Sequence, residues 1–538
     1  MRILQSFPFR ITAVALAVGV NVGSVYAFNV DTGNRDLRVS FDNTLKYSAA
    51  ARLKDQSDVL LSDDNYDDGD RNFDKGLVSN RLDLLSELDV SYKDYGFRIS
   101  GAAWYDDIYH QATDNNSTTN NNRGPASEFS ESTKEIMGGD AELLDAFVYG
   151  RFPAMDGMEG TVRLGRHSLL WGESLFFGAN GIAGTQGPVD VVKLMSVPNS
   201  QFKETMRPTG KLSVDMPVSE AVSVGAYYSY EWEKSRLQPV GAYLASGDTI
   251  EGDQILAGDI GNFQKVDDAE PSGDGQYGLQ VKWSDYSNDI DYGVYATRFH
   301  ASAPSNSYTT IIPGTMGPPT AVDYRWAYAE GIEAYGASVA KTVGRWSWAG
   351  EVSYRKNTPL NSTPQGAPNS VPRYDNENNP GYAIGETAHA QINWLANVPS
   401  FIAQEASFLG EIAWNTRVKT DKNEAMLNPN ADKSAVSMRL VYSPTYRQVL
   451  DGLDLVPSFG VSHTVGKSSA LGSAFGVDGG GDINIGVKAV YLNRWNASLS
   501  YVKFYGPEGV FNDETNSQTF KQALKDRDFI SASLSTTF

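Results

Sequence analysis

The chain contains no cysteine, which excludes a disulfide framework and any metal site built from thiolates. Basic residues are also scarce, because 45 Lys and Arg stand against 65 Asp and Glu and give a formal net charge of -20. A nucleic-acid partner would require a basic stripe that neutralises phosphates, and the sequence has no such stripe. Long apolar runs are missing beyond the extreme N-terminus, so a membrane protein built from helices is excluded as well.

The first 27 residues have the three parts of a secretory signal. Arg2 and Arg10 form a basic start, residues 11–22 form an apolar core, and Ala27 ends a plausible cleavage site. A single membrane anchor is the alternative, but the core is shorter than the roughly 20 residues that a spanning helix needs. We therefore expect a signal peptide over residues 1–27 and a mature chain over 28–538.

Glycine and aromatic residues are abundant, with 51 Gly, 28 Tyr, 23 Phe and 10 Trp. Membrane β-barrels use these residues, and alternation hides their apolar surface from hydropathy plots. The dominant period of the chain is two, as where Val39 and Phe41 alternate with Arg38 and Ser40. Segments with this rhythm predict strands near 37–53, 81–93, 97–109, 141–152, 161–171, 210–217, 223–233, 275–283, 289–300, 331–341, 345–355, 386–396, 405–417, 434–443, 453–465, 481–492, 495–505 and 528–538.

The connections between these strands alternate between short and long. Short ones span 93–96, 284–288, 342–344 and 493–494, and long ones, rich in Asp, Asn, Gly and Pro, span 54–78, 110–140, 172–209, 234–274, 302–330, 356–385 and 506–527. This asymmetry is typical of outer-membrane barrels, which have short periplasmic turns and long extracellular loops. It predicts an all-β, transmembrane antiparallel β-barrel of about eighteen strands, with sixteen also possible. A soluble propeller or β-helix would not confine its long loops to one end.

Two local patterns favour the same fold. At the C-terminus, Ile530 and Leu534 share one face, Ser531 and Ser533 share the other, and the chain ends at Phe538. This resembles the terminal-strand signal that outer-membrane barrels present to their assembly machinery, so that machinery is an expected partner. Tryptophans beside short turns predict an aromatic girdle at the periplasmic interface, formed by Trp283, Trp346, Trp394 and Trp495.

One stretch departs from the alternation. It reads VRLGRHSLLWGESLFFGANGIAGTQGPVD over 162–190 and continues to Gly210. With the loop at 70–76, the first amphipathic strand and the terminal Phe, it resembles the Gram-negative outer-membrane family catalogued as domain of unknown function 1302. The resemblance implies a periplasmic lipoprotein-like carrier and an inner-membrane exporter of the resistance-nodulation-division type as partners. It also implies the movement of hydrophobic compounds such as lipids or steroids.

The segment 172–209 is long for a connection and too apolar to lie free in water. An eighteen-stranded barrel encloses a lumen wide enough to hold it. We therefore predict a plug or constriction folded into the lumen, with packing over the extracellular rim or oligomer contact as the alternative. The residues predicted to form the plug or contact a substrate are Trp171, Leu175, Phe176, Phe177, Ile182, Val189, Val192, Leu194, Met195 and Phe202.

Charged residues around this segment predict ion pairs inside the lumen. Strand alternation points Arg163 and His167 inward, and Arg207 inward from the returning strand. Arg166 requires a bulge after Gly165 to turn inward, because otherwise it would face lipid. Cations at these positions are expected to hold the plug through its carboxylates, and a purely structural role is equally compatible with the pattern. The expected lumen charges are Arg163, Arg166, His167, Glu173, Asp190 and Arg207.

The acidic segment 55–74 has Asp63, Asn65 and Asp67 at the spacing of a calcium loop. Asp68 stands where such a loop requires glycine, and the twelfth position lacks glutamate. A Ca²⁺ site at these three residues is therefore the weaker prediction. A solvated loop that divalent ions bridge to lipopolysaccharide is the stronger one.

Enzymatic motifs are missing from the sequence. No His-Glu-x-x-His motif is present, and no glycine-rich phosphate loop opens a helix. We therefore expect neither an enzyme nor a cofactor beyond the possible calcium. The expected function is an outer-membrane conduit for hydrophobic or amphipathic small molecules, in contact with membrane lipid and lipopolysaccharide and forming part of a trans-envelope system. A general or substrate-specific diffusion porin is the alternative.

Overall fold

The computed structural model describes residues 28–29, 32–200, 202–314, 318–400 and 402–538. The predicted signal peptide over 1–27 lies outside the described residues. In the described part of the chain, eighteen long strands form one antiparallel sheet. We number them β1 Leu37–Arg52, β2 Gly76–Tyr92, β3 Tyr95–Asp106, β4 Gly139–Pro153, β5 Glu159–His167, β6 Thr209–Ser219, β7 Val222–Ser229, β8 Gln276–Asp285, β9 Ile290–Phe299, β10 Ile332–Val343, β11 Trp346–Pro359, β12 Ile384–Val398, β13 Glu405–Lys422, β14 Ser434–Leu450, β15 Leu453–Val465, β16 Gly481–Tyr491, β17 Trp495–Tyr505 and β18 Phe529–Thr537.

The sheet closes on itself, because β18 pairs with both β17 and β1. The seam between β1 and β18 runs antiparallel from Thr44 opposite Thr537 to Arg52 opposite Phe529. The two-residue strand Phe28–Asn29 pairs beside it with Phe41 and Ser40 of β1. The predicted all-β barrel of eighteen strands is therefore confirmed.

The two faces of the sheet differ in polarity, as the period of two predicts. On β5 and β6, Leu164 lies directly opposite Leu212, and the two are 50% and 43% exposed. The neighbouring inward positions Lys211 and Ser213 are 2% exposed. Successive strand residues point to opposite faces. The outer face is therefore apolar and the inner face polar, which is the arrangement that a lipid-facing barrel requires.

The connections are sorted by length between the two ends of the barrel. Eight connections in the described chain are turns of a few residues, such as Gly344 and Arg345 between β10 and β11. The other end carries the long connections at 53–75, 107–138, 168–208, 230–275, 300–331, 360–383, 423–433, 466–480 and 506–528. The sequence predicted seven of these, and the shorter ones at 423–433 and 466–480 were not identified. β1 begins and β18 ends at the short-turn end.

Aromatic side chains gather near the short turns. Trp346 begins β11 directly after the turn, and its ring lies 5.5 Å from that of Trp348. Trp348 in turn lies 5.5 Å from Trp394 on β12. Trp283 near the end of β8 stacks on Tyr292 at 4.5 Å. These rings form a partial band at one end of the outer face.

The long connections fold together instead of extending freely. Parts of three of them, 230–275, 300–331 and 360–383, build a second, five-stranded sheet, which the sequence did not predict. The connections 53–75, 107–138 and again 230–275 contribute to a buried aromatic cluster that includes Phe73, Tyr109, Phe129 and Tyr243. The five strands of the second sheet are, in spatial order, Gln365–Pro368, Asn306–Ile312, Thr320–Ala327, Asn262–Lys265 and Gln254–Leu256. Within the described residues, every helix is too short or too polar to cross a membrane.

Deleting Phe538 is expected to reduce the amount of assembled barrel. The Phe538 N–H donates to the Asn43 carbonyl at 2.9 Å, and its own carbonyl accepts from the Asn43 N–H at 2.8 Å, which completes the seam between β1 and β18. Heat-modifiable migration and protease resistance measure assembly. Phe538→Tyr keeps both backbone bonds and an aromatic end, so it should assemble normally. Full assembly of the truncated chain would show that this terminal pair is dispensable.

Candidate functional site

The connection between β5 and β6, residues 168–208, is the candidate site, and we call it the lumen segment. It contains two turns of 3-10 helix, Gly178–Asn180 and Ile182–Thr185, and two short α-helices, Val191–Ser196 and Phe202–Thr205. Asp190 caps the first α-helix, because its Oδ1 accepts the Lys193 N–H at 2.8 Å. The short helical turns provide hydrogen-bond partners for some of the backbone N–H and C=O groups. The remaining backbone groups of the segment need hydrogen-bond partners outside it.

Two buried carboxylates of the barrel wall supply those partners. Glu411 on β13 accepts the backbone N–H groups of Leu175 at 3.1 Å, Phe177 at 2.9 Å and Phe176. Glu351 on β11 accepts the N–H groups of Glu173 at 2.8 Å and Ile182 at 2.7 Å. The two carboxylate residues are 0% and 3% exposed. Hydrogen bonds to ionised acceptors are about twice as strong as neutral ones, so this half of the segment is firmly held.

Side-chain amides and an arginine hold the turn between these anchors. The Asn180 amide donates to Gln391 at 3.3 Å and accepts from Asn415 at 3.2 Å. The Arg355 guanidinium donates to the carbonyls of Ala179 at 2.9 Å and Gly181 at 2.8 Å. Strands β11, β12 and β13 therefore bind both the N–H and the C=O groups of residues 173–182.

The second half of the lumen segment binds the opposite side of the barrel. Lys193 forms an ion pair with Glu142 of β4 at 2.8 Å. Glu204 forms one with Lys46 of β1 at 3.1 Å, and Asn199 donates to Ser533 of β18 at 3.3 Å. In the ring of eighteen strands, β4, β1 and β18 lie on the opposite side from β11 to β13. The segment therefore crosses the lumen. The predicted long loop folded into the lumen is confirmed.

The predicted apolar residues of the segment divide into two groups. Trp171, Ile182 and Val192 are buried, and the Trp171 ring lies 5.1 Å from Tyr227 of β7. Phe176, Phe177 and Val189 are half-buried. Leu175, Leu194 and Met195 remain 39%, 62% and 37% exposed. The side chain of Phe202 lies outside the described residues. The segment thus presents free apolar surface inside the barrel.

The predicted lumen charges on β5 lie in three different settings. The His167 ring is buried and hydrogen-bonds Ser213 of β6 at 2.7 Å. Arg163 makes no side-chain hydrogen bond or ion pair with the residues that the structure describes, so the expected anchoring through Arg163 is absent there. The bulge expected at Arg166 is also absent, because the ladder from Ala146 through Arg166 to Gly210 is regular. Arg166 instead pairs with Glu231 and, at 2.6 Å, with Glu233 of the next long connection.

Arg207 lies in the connection before β6, not on the strand as predicted. Its guanidinium pairs with Glu233 at 3.2 Å and donates to the Lys234 carbonyl at 2.6 Å. Burial and the neighbouring Arg236 guanidinium lower the pKa of Arg207. Arg207 and Arg166 line one cavity of about 280 Å³ together with Glu142, Leu143, Leu144, Pro208 and Glu233. They therefore fix the base of the lumen segment and do not contact its wall-bound turn.

The carboxylates of the segment have different roles. Asp190 is 1% exposed and pairs with Arg236 at 2.7 Å. Among the described residues, Glu173 makes its hydrogen bonds through the backbone: its N–H donates to Glu351, and its carbonyl accepts from Asn393. The anchors Glu351 and Glu411 were not identified from the sequence. The sequence signal that could have found them is strand alternation. Glu351 and Glu411 each precede an outward apolar residue, Val352 and Ile412, so each is a carboxylate that points into the lumen.

The wall beside Phe176 is polar. On β14 to β16, Arg439 pairs with Asp482 at 3.1 Å, and Ser462 donates to the same carboxylate at 2.5 Å. The Arg439 guanidinium also lies 5.7 Å from the centre of the Phe176 ring. Further along, Ser500 and Ser531 hydrogen-bond across β17 and β18 at 2.9 Å. The lumen therefore has apolar groups on its crossing segment and polar groups on its wall.

The three residues with calcium-loop spacing, Asp63, Asn65 and Asp67, make contacts within the long connections. Asp63 accepts the Asn65 N–H at 3.0 Å, and the Asn65 amide oxygen accepts from Leu256 at 2.8 Å and Asn121 at 3.0 Å. Asp67 is buried at 2% exposure and pairs with Arg71 at 2.5 Å. These contacts tie the three residues into the loop layer, and a Ca²⁺ site at Asp63, Asn65 and Asp67 stays a prediction.

The fold and the site define a closed antiparallel β-barrel whose lumen is crossed by its own third long connection. Residues 9–538 match the family described as "Protein of unknown function (DUF1302)", and the chain belongs to that family. No curated protein matches the chain. Several solved structures are similar to it at low identity. OccK9 (OpdG) of Pseudomonas aeruginosa is 11% identical with a TM-score of 0.44, covering 93% of this chain and 98% of its own.

Two further structures give comparable values. OccAB4 of Acinetobacter baumannii is 9% identical with a TM-score of 0.44, and the match covers 93% of this chain and 97% of that one. A BenF-like porin from Pseudomonas fluorescens Pf-5 is 8% identical with a TM-score of 0.44, and the match covers 93% and 98%.

Proposed function

We propose that the protein is an outer-membrane conduit for amphipathic small molecules, which pass between the lumen segment and the polar wall. The observation that carries this proposal is the exposure of Leu175, Leu194 and Met195 on a segment bound inside the barrel. Leaving large apolar side chains in water is unfavourable by about 25 cal/mol per Å². Exposed apolar residues of this kind mark a binding surface for a ligand that has apolar surface of its own.

The outer-membrane location rests on the two faces of the barrel. Outward residues such as Leu164, Leu212 and Val352 suit lipid, and the inward polar residues suit a water-filled lumen. In this orientation the short turns are periplasmic and the long connections face lipopolysaccharide. Export through a cleaved signal peptide and insertion by the barrel assembly machinery belong to the same proposal.

The amphipathic character of the substrate follows from the pairing of surfaces. Leu175 and the half-buried Phe176 offer apolar contact, whereas Arg439 and Asp482 offer charge and hydrogen bonds across from them. A lipid-like or steroid-like compound with one polar end would satisfy both. Directed transport would depend on a periplasmic lipoprotein-like carrier and an inner-membrane exporter, as the family resemblance implies.

A diffusion porin is the second candidate, and the polar wall favours it. Ser462, Arg439 and Asp482 would equally line a path for hydrophilic solutes. The two candidates differ in whether the apolar residues of the lumen segment take part in passage.

Replacing Leu194 and Met195 together by Ser is expected to slow passage of an amphipathic solute severalfold while leaving a hydrophilic solute of equal size unaffected. Uptake into proteoliposomes measures both rates. The matched control is Val371→Ser, since Val371 is 45% exposed but lies in another long connection, 360–383. Equal rates for both solutes in all variants would favour the diffusion porin.

A further inference from the structure

Three buried carboxylates meet where two long connections touch at the end of the barrel. Asp67 and Asp68 belong to the connection 53–75, and Asp248 belongs to 230–275. Among the described residues, this is the group whose possible ligand atoms all lie within 4.8 Å of one another. The three residues are 2%, 3% and 0% exposed.

The charge of this group is not balanced by its neighbours. Asp67 pairs with Arg71 at 2.5 Å. The other nearby guanidinium, Arg527, donates to the carbonyls of Tyr243 and Ala245, at 2.8 and 2.5 Å. A buried carboxylate without a cationic partner is strongly unfavourable. Burial, followed by the repulsion of neighbouring carboxylates, raises the pKa of Asp67 to about 6 and that of Asp248 to about 7.

One oxygen of the cluster, and one oxygen of the neighbouring Asn121 side chain, have no hydrogen-bond donor. The Asp248 Oδ2 atom accepts the Asp68 N–H at 3.0 Å, but its Oδ1 atom is fully buried and unpartnered. Asn121 contacts the cluster through its N–H, which donates to Asp68 Oδ2 at 2.8 Å, and its own Oδ1 is also buried and unpartnered. Buried oxygens are almost always hydrogen-bonded or ligated, so the Asp248 Oδ1 atom indicates a missing electropositive partner at the cluster.

We propose that Asp67, Asp68 and Asp248 bind a divalent cation of the calcium class. Ca²⁺ accepts six to eight oxygen ligands in flexible geometry, including carboxylates and amide carbonyls, whereas Mg²⁺ demands a near-ideal octahedron. The cation would neutralise the excess carboxylate charge. It would also cross-link two connections that are far apart in sequence and thereby fix the loop layer over the barrel. This site shares one residue, Asp67, with the set Asp63, Asn65 and Asp67 that has the spacing of a calcium loop.

Calcium titration of the full chain, purified in detergent and stripped with chelator, tests the proposal. We expect one saturable site with half-saturation at about 0.1–1 mM, the range of extracellular calcium modules. Asp248→Asn should weaken binding by at least about tenfold, because loss of even an outer partner of a metal ligand costs that much. Asp259→Asn is the matched control, since Asp259 is exposed in the same connection and lies outside the cluster.

Limited proteolysis gives the second readout. Calcium should protect the connections 53–75 and 230–275 in the wild type and in Asp259→Asn, but not in Asp248→Asn. If Asp248→Asn does not assemble, Asp68→Asn takes its place. An absence of saturable binding, or equal calcium binding in Asp248→Asn and the wild type, would overturn the proposal. Equal effects of magnesium and calcium in every variant would indicate general surface binding and overturn it too.

Discussion

Replacing residues 172–205 by a short Gly/Ser linker is expected to raise the single-channel conductance severalfold. The segment crosses the lumen from the β11–β13 wall to Lys46 of β1, and barrels of sixteen to eighteen strands hold an aqueous channel when nothing fills them. The linker can be short because both ends of the cut lie beside β7. Trp171 packs on Tyr227, and Arg207 bonds to the Lys234 carbonyl that follows β7. Planar-bilayer recordings measure the effect.

The control for this deletion is a linker that replaces residues 370–379 in the connection 360–383. That change shortens the loop layer but leaves the lumen segment and its anchors in place, so conductance should stay near the wild-type value. A deletion variant that assembles fully, yet conducts like the wild type, would mean that the lumen segment does not limit ion flow.

Replacing both Glu351 and Glu411 by Ala is expected to produce frequent transient openings in a channel that is otherwise narrow. The two carboxylates accept five backbone N–H groups of the lumen segment, and hydrogen bonds to charged groups contribute about 1.5–3 kcal/mol each. Their loss loosens residues 173–182, which keep the hydrogen bonds from Arg355 and Asn415, while Lys193 and Glu204 keep the second half bound. Open probability in bilayers is the measured quantity.

Glu424→Ala serves as the control for the anchors, because Glu424 is exposed in the connection after β13. It should leave the recordings unchanged. The corresponding double variant of Arg163 and Arg207, two of the cations that the sequence predicts to hold the plug, should have little effect on openings. If that pair opened the channel and the glutamates did not, Glu351 and Glu411 would not be the anchors of the lumen segment.

The barrel could be predicted from sequence because its signals are local. The period of two in segments such as β1 fixes which side chains face outward, and Leu164 and Leu212 lie where that period places them. The lumen segment could be predicted for a related reason, since its apolar content sets it apart from the other long connections. Both features depend on residues that are neighbours in the chain.

The anchors could not be predicted, because they pair residues far apart in sequence. Leu175 and Glu411 are separated by 236 positions, and Ile182 and Glu351 by 169. The environment of Arg166 could not be predicted for the same reason. Strand alternation alone required a bulge to keep this charge away from lipid, whereas Glu231 and Glu233 from the next long connection pair with it. The second sheet also escaped prediction, since its short strands come from three separate connections.

The measurement that tests the central claim most directly is the selectivity of the wild-type protein in proteoliposomes. Two organic anions of equal size and charge are compared, one with a continuous apolar face and one hydroxylated throughout. If solutes pass along Leu175, Leu194 and Met195, the amphipathic anion should enter several times faster. Faster entry of the hydroxylated anion, or equal entry of both, would contradict the proposed conduit and leave a diffusion porin.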